Sequence, residues 1–521
     1  MIAAPGLRFS AREWTILLLV ALALAAFATL WGPIATPLVD PFHEGEYLST
    51  RMLLEPGAAA PLMIHGGMDY VPANLAAMLF GKSHLIAGTR LINLLFAFAA
   101  SFAFLGALLT LARTRAEALV ALLIGMLVLF WVNERAQGIV ALQQASPSTR
   151  DFPLMLGLWL LIAAARRSDK WSDRLAALGG LVAGLGWVWA YNRGVILLAA
   201  VAVYAVGTWL AGRPRQHLVW LSGGVLAGLV IDAALEGTVW AQHFRNAIYW
   251  QRHQSIWSAP VPLSLIARNL PFYAMGVCIG LGGLWAIWTA WKDRSKRSQL
   301  PVFLALGVAA GGNYLAMFNR PDPPHLMFTL PWLTLLGFAA WLAFGHEPKA
   351  DRWPDVWRKH RALLAVVVAA LIVDASASTG SGTTRPVLQG LGRNLLTLAH
   401  GLPSDAAIID PKIARAAAAL TRGGGKCTYV FDNSGAFYFL AGLRPCSSIM
   451  LPIYATAGNE QQVVADLERS LPPVVIGRST YWTDHIDDRS VAERNPAINR
   501  WFKSHYRVEQ VIDGIEIRRR R

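Results

Sequence analysis

Apolar runs of roughly 18 to 24 residues recur from Trp14 to Val373, each long enough to cross a hydrocarbon core about 30 Å thick. They predict helical spans at about 14–33, 87–111, 116–132, 151–165, 174–190, 194–212, 216–235, 267–291, 299–317, 326–345 and 361–377, about eleven crossings in all. Two shorter amphipathic segments, 47–55 and 72–81, have the pattern of helices that lie along a membrane interface. Past Asp374 the texture changes. From about residue 400, strand-like runs (Ala406–Asp410, Thr428–Phe431, Pro473–Gly477) alternate with helix-like ones (Ile413–Leu420, Gln461–Glu468), which predicts a small α/β domain. The expected fold is therefore a polytopic α-helical membrane body, residues 1–377, followed by a soluble α/β domain, residues 378–521.

Composition agrees with this division. Hydrophobic residues make up 55% of the 521 positions and charged residues 15%, against about 25% charged in a typical soluble domain, and the mean hydropathy is +0.40. A formal charge of +15 would suit a nucleic-acid binder. Here, however, most Lys and Arg residues flank apolar runs, where positive charge sets membrane orientation, so no nucleic-acid partner is expected.

With the N-terminus in the cytoplasm, the inner loops collect Arg8 and Arg12, then Arg113 and Arg115, then Arg166, Arg167, Lys170 and Arg174. Arg213 and Arg215, the Lys292–Arg297 cluster and Lys349–Arg361 follow on the same side. The opposite loops are longer and hold far fewer basic residues, so the bias favours this orientation at every step. An odd number of spans then delivers the C-terminal domain outside the cytoplasm. The first run is longer than the apolar core of a signal peptide and is read as a retained span.

Polar chemistry is expected on that outer face. The first outer loop, residues 34–86, carries Asp40-Pro41-Phe42-His43-Glu44-Gly45-Glu46-Tyr47 and, later, His65-Gly66-Gly67-Met68-Asp69-Tyr70. Asn133-Glu134-Arg135, a tight turn at Tyr191-Asn192-Arg193, a long loop containing Trp240–His253, and Arg320-Pro321-Asp322-Pro323-Pro324-His325 add to the same face. An acid at the membrane surface can act as general base on an acceptor hydroxyl, and arginines can hold a phosphate through charge-assisted pairs. Apolar helices beside them accommodate a lipid tail. Together these suit transfer of a group from a lipid-linked phosphate donor. No charged residue stands near the middle of a predicted span, where transporters place theirs.

These motifs resemble the GT-C superfamily of membrane glycosyltransferases, which includes protein O-mannosyltransferases and lipid A aminoarabinose transferases. The likeness lies in the acidic segment His43-Glu44-Gly45-Glu46-Tyr47 after the first span, in the two interface segments closing on Leu79-Phe80-Gly81, and in a tail with Tyr429–Pro445, Val464–Gly477 and Ser504–Ile517. It implies a bacterial inner-membrane, inverting glycosyltransferase. The donor would be a polyprenyl-phosphate-linked sugar and the acceptor an extracytoplasmic glycan, lipid or protein. The family's adjacent Asp-Glu pair is absent, so the base stays open among Asp40, Glu46 and Glu44. Asp40 ranks first because Pro41 stiffens the backbone beside it. His43 would orient an acid or, with the acids, hold a divalent cation; no cofactor is otherwise implied. Arg320 is the first candidate for the donor phosphate, followed by Arg193 and Arg245; His65 and Asp69 are candidates for substrate contact, and Asp322 and His325 would orient Arg320 or meet the sugar.

Two other classes compete. A non-enzymatic carrier that only binds a polyprenyl lipid would need the same apolar body without the base. A phosphoethanolamine-type transferase would need a threonine nucleophile and a metal cluster in the outer domain, neither of which is evident. In that domain Cys427 and Cys446 lie in an oxidising compartment and are candidates for a disulfide. Gly423-Gly424-Gly425 lacks a phosphate-loop ending and reads as a turn. Arg518–Arg521 are expected to touch anionic lipid or to form a disordered tail.

Overall fold

The computed structural model describes residues 9–35, 48, 50, 63, 65–135, 148–253, 264, 267, 269–317, 328–344, 384–432, 434–478, 485–486 and 489–521. In chain order the helices are α1 Ala11–Thr29, α2 Val71–Phe80, α3 Leu85–Leu111, α4 Arg115–Arg135, α5 Phe152–Ala165, α6 Lys170–Gly186, α7 Tyr191–Leu210, α8 Arg215–Glu236, α9 Thr238–Arg252, α10 Leu270–Lys292, α11 Leu300–Met317, α12 Leu330–Phe344 and α13 Thr384–His400. Every predicted span as far as 326–345 coincides with a helix; the last, 361–377, lies outside the described residues. Among the described residues, the helical segments Ala11–Thr29, Lys82–Leu111, Tyr191–Leu210, Arg215–Glu236 and Leu270–Lys292 are long and apolar enough to cross a membrane. The protein is a multi-pass membrane protein.

The chain forms two compact units. The first comprises Met1–Pro33, Asn93–Gly237 and Val261–Leu396. Its tightest packing joins α6 to α8 through small residues four apart. A Cβ at Gly180 would lie 2.3 Å from the Leu221 carbonyl oxygen, and one at Gly224 would lie 2.0 Å from that of Ala177. Gly184 and Gly228 repeat the pattern one turn on, with 2.3 Å to the Val225 oxygen and 2.4 Å to the Leu181 oxygen. This is the small-xxx-small device by which membrane helices bring their backbones together. Docked against the end of α1, the α13 side chain Asn394 donates to the carbonyls of Leu30 and Gly32 at 2.8 and 2.7 Å. Those two carbonyls would otherwise lack partners past the helix end.

The second unit comprises Ile34–Ile92, Thr238–Pro260 and Thr397–Arg521. Its C-terminal part holds α14 Asp405–Ile408, α15 Pro411–Arg422, α16 Ala436–Ala441, α17 Glu460–Ser470, α18 Val491–Arg494 and α19 Pro496–His505. Strands β1 Cys427–Thr428 and β2 Arg444–Pro445 pair in parallel, and a disulfide joins Cys427 to Cys446 beside them. Strand β3 Val474–Ile476 and, after the short β4 His485–Ile486 and β5 Arg489–Ser490, the strands β6 Tyr506–Ile512 and β7 Ile515–Arg520 complete the set. Of these, β3, β7 and β6 form an antiparallel sheet in that order. The β6–β7 turn uses Asp513 at φ +50° and Gly514 at φ +84°, the left-handed pair that a two-residue hairpin demands. Tyr429, Phe437, Tyr438, Val475, Ile476, Ile515 and Ile517 form a buried core.

Four expectations are corrected. Ala406–Asp410 is not a strand: Asp405–Ile408 is a single helical turn, because Ser404 precedes it in extended conformation as a helix start. Tyr191–Arg193 opens α7 rather than forming a turn, which falls earlier, at residues 187–190. Residues Thr238–Arg252 form a helix, not a loop. The terminal arginines are no loose tail: Arg518 pairs with Glu516 at 2.8 Å and Arg519 with Glu509 at 2.7 Å within the hairpin. The Gly423–Gly425 segment forms a turn after α15.

Candidate functional site

Asp40, His43, Glu44, Glu46, Arg320, Asp322 and His325 lie outside the described residues. The remaining candidates fall into two groups, one in each unit.

In the second unit, the loop before α2 is built around a buried carboxylate. Asp69 is fully buried; it accepts the His65 backbone N–H at 2.9 Å and pairs with His65 Nδ1 at 3.0 Å. Gly66 makes this closure feasible with φ +117° and ψ −146°, a region that a Cβ excludes. The carboxylate therefore fixes both the loop and the imidazole ring, which remains 17% exposed. Next to Asp69, the Tyr70 hydroxyl meets His243 Nε2 at 3.1 Å, and both residues are buried.

Helix α9 explains why His243 is there. His243, Asn246 and Trp250 recur at helical spacing on one buried face, and Trp250 Nε1 donates to the Met63 carbonyl at 2.7 Å. Arg245 and Phe244 point to the exposed side. Further along, the Tyr249 hydroxyl accepts from Asn459 Nδ2 at 2.9 Å, and the Tyr249 ring stacks on His253. Burial pushes the Tyr249 phenol above its ordinary value. His243 and Asn246 were not among the candidates from sequence. The signal was present as the i, i+3, i+7 pattern of Trp240–His253, which shows only once the segment is treated as a helix.

At the start of α3, Asp405 acts as a cap from a distant part of the chain. Its carboxylate accepts the Ile86 backbone N–H at 2.9 Å, and His84 Nδ1 lies 3.1 Å from the Pro403 carbonyl. Burial raises the Asp405 carboxyl above its ordinary range, against the lowering effect of the Ile86 and Leu85 N–H groups and of His84 and Arg90. Arg90 is itself 3% exposed and donates to the Ile34 carbonyl at 3.2 Å.

In the first unit, Arg193 is buried and its Nε bonds to Asp151 Oδ1 at 2.7 Å. Asp151 ends a one-turn 3₁₀ segment, Thr149–Asp151, closed by a Ser148 capping box. The Nε of neighbouring Arg150 is buried with no hydrogen-bond partner among the described residues. Where α5 and α7 begin, Arg193 is paired with Asp151, and a second guanidinium, that of Arg150, stands near it with no carboxylate pair among the described residues. Both helix starts carry partial positive charge, so the place favours an anion. Arg150 was not singled out in the sequence because nothing local distinguishes it from an ordinary loop charge. Among the described residues, no cluster of His, Cys, Asp and Glu has the arrangement of a metal site.

Fold and polar groups together define a mainly helical, multi-pass membrane protein with small sheets near its C-terminus. No family model matches the sequence, and no curated protein matches it. Among solved structures the chain is similar to ArnT from Cupriavidus metallidurans bound to undecaprenyl phosphate, with TM-score 0.46 and 14% identity over 98% of each chain. It is similar also to the apo state of that protein, with TM-score 0.47 and 14% identity over 98% of each chain. A third likeness is to the apo form of the Archaeoglobus fulgidus oligosaccharyltransferase, with TM-score 0.45 and 11% identity over 90% of this chain and 70% of that one. At these identities the likeness concerns overall fold, and no residue role is carried across.

Proposed function

We propose that the protein is a GT-C-type glycosyltransferase that moves a sugar from a polyprenyl-phosphate carrier to an acceptor outside the cytoplasm, in a bacterial inner membrane. The observation that carries this reading is the excess positive charge at the shared start of α5 and α7. Asp151 pairs with Arg193, while the nearby Arg150 keeps a buried Nε with no hydrogen-bond partner among the described residues, which leaves attraction for a phosphate at the end of an apolar helical bundle.

In the reaction, a first-loop carboxylate takes the proton of the acceptor hydroxyl as its oxygen attacks the anomeric carbon. The bond from that carbon to the phosphate oxygen breaks, and polyprenyl phosphate leaves with its negative charge held by arginine. Asp40 is the leading base, with Glu46 and Glu44 as alternatives and His43 orienting the acid or helping to hold a divalent cation. Arg320, Arg193 and Arg245 are the proposed phosphate contacts, and Arg150 joins them on the geometry above. His65, held by Asp69, would meet the acceptor or the sugar, as would Asp322 and His325.

The test is transfer of radiolabelled sugar from polyprenyl-phosphate donors by purified protein in liposomes. Loss of transfer with retained polyprenyl-phosphate binding in Asp40→Asn supports the reading. Full transfer by Asp40→Asn, Glu44→Gln and Glu46→Gln alike would sink the acid–base assignment. Binding without transfer by the unmodified protein, across the donors tried, would favour a lipid carrier instead.

A further inference from the structure

At the end of α5 opposite Arg150 lies a cavity lined by Leu111, Arg113, Arg166, Gln299, Phe303 and Leu342 among others. Its walls come from the last turns of α3, α5 and α12 and the first turn of α11. The charges in it do not balance. Glu117 accepts from Arg113 Nη2 at 2.9 Å and from the Thr114 backbone N–H at 3.1 Å, and it also pairs with the Arg113 backbone N–H. Among the described residues Arg166 makes no hydrogen bond to an acid and feels Glu117 only at longer range, in competition with Arg113. Its Nη2 reaches only the Ala112 carbonyl, at 3.2 Å, and its Nε is buried without a hydrogen-bond partner among the described residues. Burial, with Arg113 nearby, pulls the Arg166 guanidinium down to about 10 against the raising effect of Glu117. A buried N–H left unpaired is expensive, and its chemical complement is an anion.

We infer that this cavity is a binding site for the phosphate headgroup of an anionic membrane lipid, a role independent of the transferase reading. Arg166 and Arg113 would hold the phosphate, Ser298 and Gln299 would contribute polar contacts, and the apolar walls would receive the first carbons of the chains. Three features favour a lipid over a soluble phosphate. Leu111, Val302, Phe303 and Leu342 supply mostly apolar walls. The site sits where membrane-crossing helices end. The chain segment that leads into Ser298 and Gln299 also carries Lys292, Arg294, Lys296 and Arg297, a pattern that draws anionic lipid headgroups.

The experiment is native mass spectrometry of the full-length protein in detergent, titrated with dioctanoyl phosphatidic acid, dioctanoylglycerol and inorganic phosphate. The phosphatidic acid is expected to bind, the neutral lipid to bind far more weakly, and Arg166→Gln to weaken the acid by about tenfold or more. Should Arg166→Gln fail to fold, Gln299→Glu decides: it adds a repelling charge at a half-exposed position and should weaken binding to a similar degree. Unchanged binding in the folded variants overturns the inference. So does displacement of the lipid by inorganic phosphate at equal concentration, since the site would then serve a soluble ion.

Discussion

Gly224 offers the sharpest test of how the helical unit is held. An added Cβ there would lie 2.0 Å from the Ala177 carbonyl oxygen, 2.9 Å from its carbonyl carbon and 3.0 Å from the Leu181 nitrogen. All three are backbone atoms of α6, so no side chain can swing aside. Carbon and carbonyl oxygen rest at about 3.3 Å or more, so α6 and α8 would have to part by on the order of 1 Å. A gap of that size forfeits a quarter to a half of each contact's attraction along the seam. Together with strain at the new methyl, this predicts that Gly224→Ala destabilises by about 1–3 kcal/mol, the usual range for overpacking. The neighbouring Gly223 is the control, because a Cβ there meets nothing within 4 Å. Gly223→Ala keeps the packing and gains helix propensity of up to about 1 kcal/mol. Thermal unfolding of the two variants and the parent in one detergent gives the comparison. Finding Gly224→Ala as stable as Gly223→Ala would refute the close-approach account.

Other outcomes follow from the second unit. The Asp405 carboxyl is raised in the fold from 3.8, with burial as the main cause. The folded state therefore binds a proton more readily than the unfolded chain, and this group's contribution to stability falls as pH rises from 3.8 through the folded value. Asp405→Asn should flatten that part of the stability–pH curve, read by thermal unfolding between pH 4 and 6; an unchanged slope argues against the assignment. Asp69→Ala removes the acceptor of the half-buried His65 N–H and of its ring and should cost about 1–3 kcal/mol, whereas His65→Ala keeps the backbone bond to Asp69 and should cost less; the two are compared by unfolding and by sugar transfer. Removing the Cys427–Cys446 bridge, which spans 19 residues, should destabilise the C-terminal part by about 3 kcal/mol, measured with Cys427→Ser/Cys446→Ser against the oxidised parent.

Much of the architecture was legible in the chain because membrane helices declare themselves by length and hydropathy alone. Lipid offers the backbone no partners, so an apolar run of that length has to be a helix. The α/β character of the C-terminal part was legible for the same kind of local reason, in the alternation of strand-like and helix-like runs. Errors arose where local signals were ambiguous. Ala406–Asp410 is too short for periodicity to separate a turn of helix from a strand. Trp240–His253 has the mixed polarity of a loop until its buried face is known.

Candidate chemistry followed a different rule. Residue type marked His65, Asp69 and Arg193 as worth watching, and their partners had to come from elsewhere. His65 and Asp69 meet through a local turn that Gly66 permits, so their spacing hinted at the pair. Arg193 finds Asp151 from 42 positions away, Tyr70 finds His243 from 173 away, and Asp405 caps a helix 319 residues earlier. That the Nε atoms of Arg150 and Arg166 have no hydrogen-bond partner among the described residues is invisible in sequence, because pairing is a property of the surroundings. Hydropathy, acting locally through the solvent, determined which segments are helices; only the tertiary fold, which brings distant groups within hydrogen-bond reach, decided which charges find a partner.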